Sequence, residues 1–207
     1  MKRVSQIQLL GDSILKGIQV EPATGRYVTR NEIGIPGLER ETPCDAVVMD
    51  FGGNDCDFRW DQVAADPEGD HRPNVPLEEF LQRYREMIAQ LRLHGITPVL
   101  TTLPPLEPER FFSWWCGKLD QAAVRRWLGS LTNIYAHQEN YSRAVEQLAR
   151  ETETPLVDIR GAFLAHGHLG QLLCEDGTHP NSAGQALIGD AFRDFAREHL
   201  EPVRQTA

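Results

Sequence analysis

The residues of this chain best suited to chemistry are a serine near one end and an aspartate and a histidine near the other. Ser13 closes the triplet Gly11-Asp12-Ser13, directly after the apolar residues Leu9 and Leu10. A tight turn there lifts the hydroxyl out of a sheet at a strand's carboxyl end, where open α/β sheets place their ligands. A serine hydroxyl is a poor nucleophile near neutral pH, so it needs a neutral imidazole, and the imidazole needs a carboxylate to fix its tautomer. Asp176 and His179 stand three apart, with Gly177 between them and Pro180 behind, so one tight loop can hold both side chains on the same side. Taken alone, Asp-x-x-His is more often a turn carrying a surface histidine; its weight comes from the other motifs. In Gly52-Gly53-Asn54-Asp55, the Asn54 amide can donate to a developing oxyanion, and the glycine pair permits close approach of backbone to ligand. Gly37 offers a backbone N–H and Ser13 its own, which completes a three-donor hole. Asn54 and Gly37 also read simply as turn residues.

These groups need elements to carry them. Val4 to Leu10 reads as a buried strand, and Ile14 to Ile18 as a short helix whose N-terminal dipole would favour negative charge beside the serine. From Gln19 to Gly37 the glycines and prolines leave room for one short, weak strand, with strand character at Tyr27-Val28 and Glu32 to Ile35. Ala46-Val47-Val48-Met49 is the continuous apolar run of a central parallel strand, and it stops at the Gly52 loop. Cys56 to Val75, rich in Asp, Pro and Gly, reads as irregular surface. Leu77, Phe80, Leu81, Tyr84, Met87, Ile88 and Leu91 fall at helical spacing, with Pro76 before them and Gly95 after. Thr97 to Leu103 is a further strand. Residues 106–135 then form an insertion holding Trp114, Trp115 and Trp127, three of the four tryptophans. Such aromatics either line a substrate pocket, Trp114 and Trp115 foremost, or form a satellite core. A helix around Tyr141 to Ala149, a short strand Leu156 to Ile159 with Asp158 in a structural role, and a closing helix Ser182 to Leu200 capped by Asn181 or Ser182 complete the chain. Alternating strands and helices predict a parallel sheet with helices on both faces, in a single domain over 1–207.

Composition excludes several classes. With 41% hydrophobic and 25% charged residues, the chain is globular in character. A net charge of −9 argues against nucleic acid or an anionic membrane as partner. No apolar run is long enough to span a bilayer, and Met1 to Gln6 lacks a signal-peptide pattern. Cys44, Cys56, Cys116 and Cys174 lack C-x-x-C spacing, so neither a zinc knuckle nor a disulfide framework is indicated and a cytoplasmic setting fits. No cofactor is called for.

In their order, Gly11-Asp12-Ser13, Gly52-Gly53-Asn54-Asp55 and Asp176-Gly177-Thr178-His179-Pro180-Asn181 resemble the SGNH (GDSL-like) hydrolase family of esterases and lipases. The helix and strand of Asn140 to Ile159 are similar to that family's last helix and strand. The resemblance implies a flavodoxin-like, three-layer α/β/α fold. It also implies Ser13 as nucleophile, His179 as base, Asp176 as its partner, and Ser13, Gly37 and Asn54 as oxyanion donors. Gly34 and Gly37 both stand a short way before the strand at Ala46, a departure from the family's outline that leaves the choice between them open; Ile35-Pro36-Gly37 favours Gly37. The expected activity is that of a metal-independent serine esterase acting on short-chain acyl esters, such as acetylated sugars or small metabolites. Two rivals are a catalytically silent ligand-binding module on the same fold, and a metal-dependent hydrolase using Asp12, Asp55, Asp176 and His179.

Overall fold

The computed structural model describes residues 6–29 and 44–199. The expected starts of the first strand at Val4 and of strand character at Glu32 to Ile35, together with Gly34 and Gly37, lie outside the described residues. Strand β1 (Ile7–Gly11) leads through a turn into a hairpin of β2 (Ile18–Glu21) and β3 (Arg26–Thr29). β4 (Ala46–Asp50), β5 (Thr97–Thr101) and β6 (Leu156–Val157) join β1 in a parallel sheet of order β1-β4-β5-β6. Gly11 pairs with Asp50 and Met49 with Leu100, so the strands finish level along one edge. That edge is where Ser13 and Asn54 emerge.

Pleating decides what each strand residue packs against. Val47, Met49 and Leu100 face a core closed by Phe80, Tyr84 and Ile88 of α2 (Leu77–Leu93) and by Tyr141, Val145 and Leu148 of α5 (Thr132–Glu151). Val48, Val99 and Val157 face the opposite core, with Phe163 of α6 (Ile159–His166) and Ile188 of α7 (Ser182–His199). The result is the three-layer α/β/α arrangement. The Asp158 carboxylate caps α6 by accepting from the Gly161 N–H at 2.9 Å, and Asn181 caps α7 through Ala183 and Gly184.

Several elements differ from expectation. Residues 14–18 form no helix: Gly17 takes a left-handed φ of 67° and Ile18 donates to the Ser13 carbonyl at 3.0 Å, a tight turn that sends the chain at once into β2. The stretch after it holds two strands rather than one, because Gly25, also left-handed, closes the hairpin. β1 is only half-buried, with Leu10 at 41% exposure, since among the described residues it pairs on one side only. The 56–75 loop contains a helix, α1 (Trp60–Ala65), whose Trp60 and Val63 are three apart and both buried. β5 stops at Thr101, short of Leu103.

The 106–135 segment folds as α3 (Pro108–Trp115), α4 (Gln121–Leu128) and the first turn of α5. Phe111, Phe112, Cys116, Val124 and Leu128 meet Trp60 and Val63 in a third apolar cluster beside the site edge. The segment is therefore a satellite core, and one face of that core lines a cleft.

Candidate active site

The turn after β1 brings Asp12 and Ser13 over the sheet edge. Gly11 leaves little room for a side chain, since a Cβ there would meet the Asp50 carbonyl oxygen at 3.0 Å and the end of the Leu15 side chain at 2.9 Å. The Ile14 N–H donates to Asp12 Oδ1 at 3.2 Å, which tightens the turn and aims Ser13 outward. Burial pushes the Asp12 carboxyl up, with that N–H opposing it.

The opposite wall is the loop between Leu172 and Asn181. Its ends are tied by a bridge between Leu173 and Pro180 and by Cys174 N–H donating to the His179 carbonyl at 2.7 Å. Asn181 Nδ2 donates to the Gln171 and Leu173 carbonyls. Gly177 has φ 70° and lies so close to α3 that a Cβ would meet the Glu107 carbonyl at 2.6 Å. Within this frame Asp176, fully buried, uses Oδ1 to accept from the Thr178 and His179 N–H groups, each at 3.0 Å. Asp176 Oδ2 accepts from His179 Nδ1 at 2.6 Å, and His179 Nε2 lies 2.8 Å from Ser13 Oγ.

The protonation pattern follows. Burial alone would raise the Asp176 carboxyl, but the ring N–H and charge of His179 and the two backbone N–H groups outweigh it and hold it below the usual value. An ionised Asp176 can only accept, so Nδ1 carries the proton and Nε2 is left to accept from the serine hydroxyl. The three residues expected from the sequence are thus in one hydrogen-bonded line.

Asn54 reaches the same edge, exposed at the mouth, and Asn74 Nδ2 pins its carbonyl at 2.9 Å. Its amide Nδ2 donates to Asp12 Oδ2 at 3.3 Å, which uses one of its two N–H groups and leaves the second for a ligand. Among the described residues no three His, Cys, Asp or Glu side chains gather as a metal-binding group, so Asp12, Asp55, Asp176 and His179 do not converge on one point.

A cleft of about 350 Å³ opens from Ser13, Asn54 and His179. Trp115 lines it, whereas Trp114 does not; Trp114 packs edge-on against Tyr27 of β3 at 6.2 Å. Phe58, Trp60, Phe111 and Trp127 supply much of the remaining wall.

The sequence profile of the GDSL-like Lipase/Acylhydrolase family matches residues 22–187. The chain belongs to this family. The matched region takes in the Gly52 and Asp176 motifs of the GDSL-like fold and begins after Ser13, which is tied to them by geometry. The isoamyl acetate-hydrolyzing esterase of Saccharomyces cerevisiae is 27% identical over 121 residues, 56% of this chain and 46% of that protein. The chain thus spans about half the length of the curated relative it matches. Among solved structures, a lipase/acylhydrolase from Enterococcus faecalis superposes with a TM-score of 0.50 at 17% identity, over 78% of this chain and 65% of that one. An acetylxylan esterase from Geobacillus stearothermophilus gives 0.51 at 23% identity, over 79% and 63%. These likenesses concern the fold.

Two groups of site residues were not legible in this GDSL-like sequence. The Tyr27 hydroxyl donates to Asp176 Oδ2 at 3.2 Å and its ring stands edge-on to His179 at 5.3 Å, yet 149 positions separate it from Asp176. Nothing local announces that contact. Phe58 and Trp60 were hidden in a loop whose Asp57 accepts from the Trp60 indole N–H at 2.8 Å. Here the apolar spacing of Trp60 and Val63 was the available signal.

Proposed function

We propose that this protein is a carboxylic ester hydrolase working through an acyl-enzyme on Ser13, with esters of short acyl groups as substrates. The observation that carries the reading is the unbroken line from Ser13 Oγ through the His179 ring to Asp176, with separations of 2.8 and 2.6 Å. His179 Nε2 removes the hydroxyl proton as Ser13 Oγ attacks the ester carbonyl, forming the C–O bond and moving charge onto the carbonyl oxygen. The Asn54 amide, the Ser13 N–H and the Gly37 N–H are the donors for that oxygen in this reading. Protonated His179 gives its proton to the departing alkoxide. Water, deprotonated by the same ring, then cleaves the acyl–Ser13 bond and releases the acid. Asp176 stays ionised throughout and stabilises the imidazolium. The yeast relative is named for an acetate ester of a branched alcohol and the Geobacillus one for acetylated xylan, which supports short acyl groups.

Labelling with a serine-reactive fluorophosphonate, mapped by peptide mass spectrometry in wild type and His179→Ala, tests this. An adduct on Ser13 that nearly disappears in His179→Ala is expected. A folded wild type that takes no label on Ser13 removes the acyl-enzyme and leaves a ligand-binding module.

A further inference from the structure

We infer that the aromatic chamber beside Ser13 is a specificity pocket for a compact apolar group of the ester, larger than acetyl, on its acyl or its alcohol side. The identity of the reacting bond rests on the esterase reading; the chamber's preference for hydrocarbon does not. Three chain segments build the chamber. Phe58 and Trp60 come from the loop after β4, Phe111 and Trp115 from α3, and Trp127 from α4. Their rings hold one another edge to face: Phe58 to Trp127 at 5.0 Å, Phe58 to Trp60 at 5.7 Å and Trp60 to Phe111 at 5.9 Å. Such a lattice is formed before any ligand arrives, so little ordering cost remains at binding.

Several polar side chains of the lining are tied to the fold, although the buried Thr178 Oγ1 has no partner. Asn133 Nδ2 donates to the Leu128 carbonyl at 2.7 Å, Gln138 Nε2 to the Pro104 carbonyl at 3.0 Å, and His137 Nε2 to the Cys56 carbonyl at 2.9 Å. Asp57 Oδ1 is taken by the Trp60 indole. Burial lowers the His137 pKa, with the Cys56 carbonyl opposing, which keeps that ring uncharged. With one N–H of each amide and the His137 Nε2 taken by the protein itself, what the chamber offers a ligand is chiefly ring faces and alkyl surface, the second amide N–H groups and Thr178 Oγ1 being its few polar points. A sugar would find few partners for its hydroxyls, and an acetyl methyl would leave most of the space to water. At about 350 Å³ the cleft is also at the small end of ligand pockets, which run from about 300 to 1,000 Å³, so it does not enclose a long lipid chain whole.

The test uses two ester series on the purified protein: 4-nitrophenyl acetate, butyrate, hexanoate, octanoate and palmitate, and the ethyl, butyl, hexyl and benzyl acetates. In whichever series places its variable group in the chamber, kcat/KM rises about fourfold per methylene while space lasts, and in the acyl series it falls again by palmitate. Ile134→Phe, which adds bulk to the lining, moves the optimum to shorter groups; Trp127→Ala, which removes it, moves the optimum to longer ones. A wild type that hydrolyses acetates with flat profiles in both series overturns the pocket and leaves the esterase standing. Binding is read separately, in Ser13→Ala, by tryptophan fluorescence on titration with hexyl acetate, since Trp60, Trp115 and Trp127 all line the chamber. A saturable change weakened by Ile134→Phe supports the pocket even if no ester is turned over; no saturable change overturns it.

Discussion

Asp50→Asn is expected to make the protein more stable above neutral pH and to leave its stability nearly unchanged in acid. Asp50 ends β4 directly beneath the serine turn and is 3% exposed. Its Oδ1 accepts from the Thr101 hydroxyl at 2.6 Å, but its Oδ2 has no partner. Burial, and then the charge of Asp12, push its carboxyl up to about 7, with the Thr101 hydroxyl opposing. In the unfolded chain an aspartate titrates near about 3.9. Between those two values the native state keeps a proton that the unfolded state has released. The contribution of Asp50 is therefore complete below about pH 4 and lost as pH rises through about 7. The span is worth at most about 4 kcal/mol, and relaxation or water around the carboxylate reduces it. Asparagine has the same shape and stays neutral, so urea unfolding followed by circular dichroism is expected to show a gap between the two proteins. That gap should be small near about pH 4.5, widen through neutrality and level off by about pH 8. Asp176, whose pKa is depressed, acts in the opposite sense: its stabilisation is lost as pH falls through its folded value. It is common to both proteins and cancels from their difference. A gap that does not change with pH, or one that narrows as pH rises, refutes the reasoning.

Other substitutions test the site itself. Tyr27→Phe removes one of the four hydrogen bonds that Asp176 accepts, worth about two- to tenfold in kcat/KM. Because the remaining carboxylate charge falls more heavily on the His179 ring, the acidic limb of the pH–rate profile is expected to move to higher pH; a uniform loss with an unmoved limb would mean that Tyr27 only packs. Asn54→Ala is expected to lower kcat about a hundred- to a thousandfold with little change in KM, since the amide is needed most when the oxyanion forms. Unchanged kcat would take Asn54 out of that role.

What could be read in the sequence was local. Asp176 and His179 are three residues apart, so their shared loop was legible from Gly177 and Pro180 alone, and the structure puts their side chains 2.6 Å apart. The strand runs at Ile7 and Ala46 stop at polar turns that the parallel register then aligns, Gly11 opposite Asp50. The helix at 77–93 was legible from spacing because its stripe of Phe80, Tyr84 and Ile88 repeats every four residues. The helix expected after Ser13 failed for a reason of the same local kind. Gly17 supplies the positive φ that closes a turn, and that turn competes with a helix too short to stabilise itself.

The two adjacent tryptophans show how a helical reading, had it been carried into 106–135, would have sharpened the pocket assignment. Glu107 accepts from the Arg110 N–H and Pro108 stands in the first turn, so α3 carries its start signal in the sequence. On a helix, neighbours in sequence point about 100° apart, whereas residues four apart share a face. Trp114 and Trp115 therefore could not both face one cleft. The pair that could is Phe111 and Trp115; their rings lie 6.1 Å apart and both line the chamber. Trp114 turns instead to the hairpin, where its ring lies 3.6 Å from the position a Cβ would take on Gly25, and meets Tyr27 edge-on. Trp115 stacks on the same tyrosine, at 6.2 Å and an interplanar angle of 20°. The tandem thus does two things from one turn of helix. One ring bounds the space where the ester's apolar group would lie, and both flank the hairpin's Tyr27, whose hydroxyl donates to Asp176 Oδ2.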